Sequence, residues 1–171
     1  LTTVAASTHD RSLSGDVTLG NGAKYSGASI NPTALPATPM IRAQDAGVVG
    51  ADATSLRLCF NTGVLDSSKV AGKVVVCDRG SNARTDKSLA VANAGGAGMV
   101  LADNGAGLVA DVHSVPTVHV NAADGAIIKA YAATAGSTIC CTPAARARAT
   151  TAARSPSNSG ASRWQWLSIH M

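Results

Sequence analysis

Ser7, His9 and Asp10 bring a hydroxyl, an imidazole and a carboxylate almost side by side, the three groups of a hydrolytic triad. Side chains so close in sequence point in divergent directions, so they cannot assemble one, and the stretch is expected to be a polar turn. His113 and His119 have an even spacing that would place both on one face of an extended strand. That is half a metal site or a pH-sensitive patch, but no carboxylate stands at ligand spacing on the same strand, although Asp111 is near. Cys59, Cys77, Cys140 and Cys141 include no Cys-x-x-Cys pair, which argues against a zinc site. Asp78-Arg79-Gly80 follows an aliphatic run, at a strand end where functional loops gather. The planar fork of Arg79 suits it to pin that loop through a carboxylate or carbonyl, or to touch a substrate. Gly95-Gly96-Ala97-Gly98 has the glycine content of a phosphate cradle, but it lies after a helical pattern and before a strand, the reverse of the dinucleotide-binding order.

The elements that would position these residues are legible from hydrophobic pattern and turn signals. Val17-Thr18-Leu19, the turn Gly20-Asn21-Gly22 and Lys24-Tyr25-Ser26-Gly27 predict a hairpin, and Val4-Ala5-Ala6 a strand end. Pro32, Pro36 and Pro39 predict that 31–39 is a loop or an edge, because proline cannot donate to a sheet ladder. Val74-Val75-Val76-Cys77, Met99-Val100-Leu101-Ala102 and Pro116-Thr117-Val118-His119-Val120 predict three buried strands. A helix is expected over 86–94, capped by Thr85 and ended by Gly95-Gly96. A second follows Asn121, with Asp124 completing a capping-box variant and Ile127, Ile128 and Tyr131 as its buried face. Strand, helix, strand, loop, strand, helix is an α/β arrangement rather than a pure sandwich.

The chain has 171 residues, 46% hydrophobic but only 3% aromatic, so the core must be built from small aliphatic side chains. No apolar run approaches the roughly 20 residues that cross a bilayer. All the acids are aspartates, and up to Ser137 they balance the lysines and arginines; the net charge of +4 comes from Arg146, Arg148, Arg154 and Arg163. The body therefore lacks the basic stripe of a nucleic-acid binder. In the zone from Thr138 to Met171, the Ala/Arg/Thr/Ser-rich run from Pro143 to Arg163 shows neither a strand nor a helix period and is followed by Trp164-Gln165-Trp166-Leu167. This segment, 138–171, is expected to be a disordered tail, or to come from a shifted reading frame or from cloning, and Cys140 and Cys141 within it to be incidental.

The run from Cys59 through Lys69-Val70-Ala71-Gly72-Lys73 to Val74-Val75-Val76-Cys77-Asp78-Arg79-Gly80 resembles the protease-associated (PA) domain inserted in bacterial and plant subtilisin-like serine proteases. Lys87, Ala94-Gly95-Gly96-Ala97-Gly98-Met99-Val100, Asp103-Asn104, Val115-Pro116-Thr117-Val118-His119-Val120 and Ala123-Asp124-Gly125 continue the resemblance in order. Val4-Ala5-Ala6-Ser7-Thr8 resembles the catalytic-domain strand that precedes the insertion. The resemblance implies a remnant strand over 1–10, a PA domain over 11–137, and an open β-barrel-like sheet with short flanking helices, in the α+β or α/β class. It implies a disulfide between Cys59 and Cys77 and a secreted, extracellular parent whose export signal would lie upstream.

No segment matches the three catalytic contexts of that protease family, so no active site, metal or cofactor is carried over. The expected function is that of a non-catalytic module, acting on protein or peptide substrates beside the parent's catalytic domain, with self-association as a further expectation and neither nucleic acid nor membrane as a partner. Arg79, Ser81, Asn82 and Arg84 are the candidate contact residues, and 31–39 and 81–85 are the loops expected to present the contact surface. A stand-alone peptide-binding or sorting module of the same fold is the alternative, and an enzyme in its own right a third possibility that lacks a clustered nucleophile, base and orienting group.

Overall fold

The computed structural model describes residues 13–143 and the short strand Ala145–Arg146. At its centre run three parallel strands, β4 (Val74–Asp78), β5 (Gly98–Ala102) and β6 (Thr117–Val120), every residue of which is buried. Strands covered on both faces need apolar residues at successive positions, which is why these runs lack alternation. Successive side chains still point to opposite faces. Val74 and Val76 join one core with Val100, Val118, Val120 and Ile128, while Val75 and Cys77 join a second with Met99, Leu101, Val70 and Val91.

The sheet forms a ring. β1 (Leu13–Leu19) and β2 (Lys24–Ala28) make the expected antiparallel hairpin. β3 (Leu35–Arg42) runs parallel to β4, and β7 (Thr138–Cys141) lies antiparallel between β3 and β1. The order β2-β6-β5-β4-β3-β7-β1 closes through the hairpin, and β8 (Ala145–Arg146) pairs with the start of β1. This is the barrel-like sheet with flanking helices that was expected. Its thinnest seam is β2 against β6, where Ala28 opposite His119 is the sole register pair. Gly27 makes that approach possible, since a Cβ there would collide with the His119 carbonyl.

The proline-bearing stretch, expected as a loop or an edge, takes the edge form, with Pro36 and Pro39 in β3. The pairing with β4 begins only at Met40, so the proline-bearing half has a partner on the β7 side alone, and there the register shifts between Leu35 and Thr38. Thr138–Cys141, assigned from composition to the tail, is a ring strand whose Ile139 and Cys141 are buried in the core. The expected strand at Val4–Ala6, the Ser7/His9/Asp10 turn and residues 147–171 lie outside the described residues.

Short helices pack on the ring. α1 (Ala53–Arg57) and α2 (Ser67–Val70) start at Asp52 and Asp66, whose carboxylates accept from the amides of Ser55 and Ser68. α3 (Arg84–Asn93) starts two residues before the expected span. Its N-cap is Ala83, without a side-chain bond, and Thr85 sits in its first turn instead of capping it. Gly95, at φ +78°, ends it as expected. α4 (Ala122–Ala132) is capped by Asn121, which accepts from the Asp124 amide and donates back to its carboxylate. Ile128 is the fully buried residue of α4; Ile127 faces solvent, because Gly125 and Ala132 take the other buried positions.

Candidate functional site

The carboxyl ends of β4, β5 and β6 are crowned with charge. Asp78, the last residue of β4 and nearly buried, accepts from Arg57 at 2.8 Å and from Lys129 of α4 at 2.7 Å. One strand over, Asp103 accepts from Arg79 at 2.8 Å and, through Oδ2, from the amides of Gly105 and Gly107 at 2.9 and 3.1 Å. Arg79 also donates to the Gly107 carbonyl. Burial pushes the Asp103 carboxyl up, but Arg79 and the surrounding amides outweigh it and hold its pKa at about 2.

These bonds fasten the base of the loop 103–116 that joins β5 to β6. Further along, Arg84 grips Asp111 with Nε and Nη2, which raises the guanidinium pKa and lowers that of the carboxyl. His119 of β6, wholly buried, sets Nδ1 3.1 Å from both the nitrogen and the oxygen of Val109. Its Nε2 lies 3.3 Å from Asp103 Oδ1 without making a hydrogen bond. Burial lowers the pKa of His119, with the Val109 backbone and Asp103 opposing. The loop is therefore held to the body at several points while Leu108, Val109 and Val112 stay exposed.

His113 does not share a strand with His119, since β6 begins only at Thr117. Its Nδ1 sits 3.1 Å from Ser88 Oγ on α3, and Asp111 is two residues away. Hydroxyl, imidazole and carboxylate thus come close, but not as a triad. The Ser88 hydroxyl is buried and gives its proton to the Thr85 carbonyl at 2.7 Å, and Asp111 is turned to Arg84. Among the described residues no group of three or more His, Cys, Asp or Glu side chains could hold a metal ion.

A second cluster surrounds the disulfide between Cys59 and Cys77, which ties the end of α1 to β4. Cys59 has φ 51°, the left-handed position that follows a helix cap. The amides of Cys59 and Phe60 bond back to the carbonyls of Leu56 and Ser55 at 2.9 and 3.0 Å. Lys87, with no solvent exposure, donates to the Leu58 carbonyl at 2.6 Å and to Asn82 Oδ1, while Asn82 Nδ2 reaches the Cys59 carbonyl at 3.5 Å. Of the four candidate contact residues, Arg79, Asn82 and Arg84 thus commit polar atoms to partners within the fold, and Ser81 is exposed.

The PA domain family model matches residues 37–128, which hold both clusters except Lys129. The chain belongs to the PA domain family. This PA domain is 44% identical over 140 residues to subtilisin-like protease SBT1.7 of Arabidopsis thaliana, an alignment covering 78% of the chain and 18% of the relative. It is 42% identical over 138 residues to SBT1.6 of the same plant, covering 77% of the chain and 17% of the relative. The chain thus spans less than a fifth of the length of these relatives. The aminopeptidase from Aneurinibacillus sp. strain AM-1 shares the fold at TM-score 0.53 and 15% identity, over 78% of this chain and 30% of that one. A zinc aminopeptidase from Bacillus subtilis does so at TM-score 0.51 and 16% identity, over 80% and 31%. Among the described residues of this PA domain, no helix is long and apolar enough to cross a membrane.

Sequence reasoning marked Arg79 and Arg84 but missed their partners Asp103 and Asp111, which lie 24 and 27 residues away. It also missed the burial of Lys87. The one signal available was an unpaired lysine on the apolar side of α3, three residues before Ala90 and four before Val91.

Proposed function

We propose that this PA domain is the non-catalytic module of a secreted subtilisin-like protease and that it governs which protein substrates reach the protease's cleft. The likeness to the plant proteases supports the parent, and a disulfide supports an oxidising compartment. The observation that carries the role is the 103–116 loop: fastened through Arg79, Arg84 and His119, it holds Leu108, Val109 and Val112 out to solvent. A pre-organised apolar surface loses little entropy when a partner covers it.

The test uses the full-length protease that contains this chain, with Leu108, Val109 and Val112 all changed to Ser. Cleavage of folded protein substrates should fall on the order of tenfold in kcat/KM, while a short capped peptide is cleaved as before. Unchanged cleavage of folded proteins would refute the role. Sedimentation of the same pair of proteins reads whether this face also joins two copies. Catalytic aspartate, histidine and serine segments flanking the chain in its gene would establish the parent.

A further inference from the structure

A cavity of about 230 Å³ lies where the chain leaving β2 faces the last part of the 103–116 loop. It exceeds the roughly 150 Å³ that takes up a benzene molecule and falls short of the roughly 300–1,000 Å³ of small-molecule sites, a size suited to a single side chain. Ile30, Pro32, Val112 and Val115 give it apolar walls. Its polar lining comes from Asp111, His113, Thr117 and Asn31.

The hydrogen bonds around these groups fix what they have left to offer. The single hydroxyl proton of Ser88 goes to the Thr85 carbonyl, and Ser88 Oγ already accepts from the Ser114 amide. The contact with His113 must therefore run from the ring, Nδ1–H donating to Ser88 Oγ. In the neutral imidazole this leaves the lone pair on Nε2, which has no partner among the described residues. Thr117 gives its hydroxyl proton to the Val115 carbonyl and retains only acceptor capacity. Asp111 is an acceptor throughout, with lone pairs beyond those that Arg84 takes. Asn31 donates one N–H of Nδ2 to the Thr33 carbonyl and accepts from the Thr33 amide at Oδ1, which leaves a single spare N–H. The lining is thus rich in acceptors and poor in donors.

We propose that this cavity is a subsite for a basic side chain, lysine or arginine, presented by an extended segment of a partner protein. The apolar walls take the methylene stem, and Asp111, His113 Nε2 and Thr117 Oγ1 receive the charged tip. The site is independent of which enzyme carries the domain.

His113 makes the subsite sensitive to acid. The charges around it are Asp111 on its own loop, Arg84 on α3 and His119 on β6. Burial lowers its pKa from 6.5, with Asp111 opposing and His119 and Arg84 assisting. Above that range the ring is neutral and Nε2 accepts. As pH falls, Nε2 gains a proton, turns from acceptor to donor and adds a positive charge beside the incoming cation.

The test titrates the full 171-residue chain with capped glycine-flanked tripeptides centred on lysine, norleucine or glutamate, followed by amide shifts in NMR. At about pH 7.5 the lysine peptide should move the amides of Val112, Val115 and Thr117 and bind about tenfold more tightly than the norleucine peptide, the increment of a charge-assisted bond. That preference should shrink progressively as the pH is lowered below 6.5, the ordinary value from which burial depresses His113. In His113→Gln, whose amide spectrum reports its fold, the pH dependence should disappear. Equal binding of lysine and norleucine peptides, shifts centred elsewhere, no shifts at all, or a pH dependence that survives in His113→Gln would each overturn the proposal.

Discussion

Lys87 Nζ donates to the carbonyl oxygen of Leu58 across 2.6 Å, from a side chain that solvent does not reach. Burial lowers its pKa from 10.5 to about 8, opposed by Asp78 and Asp86 and reinforced by Arg57. Between about pH 8 and 10.5 the unfolded chain keeps this proton and the folded one has released it, so the lysine's contribution to stability rises with pH across that window. Lys87→Met removes the group. The urea midpoint of the wild type relative to the variant should climb from about pH 8 to 10.5 and level off above. A difference that stays flat would show that Lys87 is not buried in this way.

Cys59 combines a covalent and a conformational role. Cys77→Ser opens a link across 18 residues and should cost about 3 kcal/mol on the loop-entropy estimate. In a disulfide-free background Cys59→Gly should be more stable than Cys59→Ala by about 1 kcal/mol, because glycine adopts φ 51° without a Cβ penalty. Chemical denaturation of the two variants decides the sign.

Arg79 is expected to act on the 103–116 loop more than on the barrel. Arg79→Met should speed hydrogen exchange at the Gly105 and Gly107 amides, which lean on Asp103, while the amides of β4 and β5 stay protected. The Asp103 carboxyl, held at about 2 against an ordinary 3.8, supplies stability that is complete above pH 3.8 and is lost as pH falls toward 2, about 2 kcal/mol in all. Asp103→Asn should flatten the acid limb of the stability profile over that interval.

The β2–β6 seam should be sensitive to a single methyl group. Gly27→Ala drives a Cβ into the His119 carbonyl and should destabilise the domain by about 1–3 kcal/mol. The loss should appear first as faster exchange at the Ala28 and His119 amides, the single register pair of that seam. Loss spread evenly over the ring would mean the seam does not open on its own.

Where local chemistry decides structure, the sequence was informative. The buried runs of β4, β5 and β6 announce themselves as unbroken aliphatic stretches, and Asn121 with Asp124 marks the start of α4 by the bonds the two can exchange. Where partners are distant, it was not. The prolines mark 31–39 as a loop or an edge but not which flank of β3 lacks a neighbour, and Thr138–Cys141 is a strand only because β1 and β3 leave a gap for it. The cavity beside His113 depends on Ser88, 25 residues earlier in the chain, and no spacing rule joins them. The cysteine bridge was foreseen through family resemblance, since four cysteines alone leave three ways to pair.

Leu13, the first residue of β1, lies across from Arg146 of β8, in antiparallel register. The two ends of the described ring therefore lie about 5 Å apart, one interstrand step. A two-residue turn would be long enough to join Arg146 to Leu13 without moving either strand, so the barrel could be closed there and cut open at another of its loops with the order of strands in the ring unchanged.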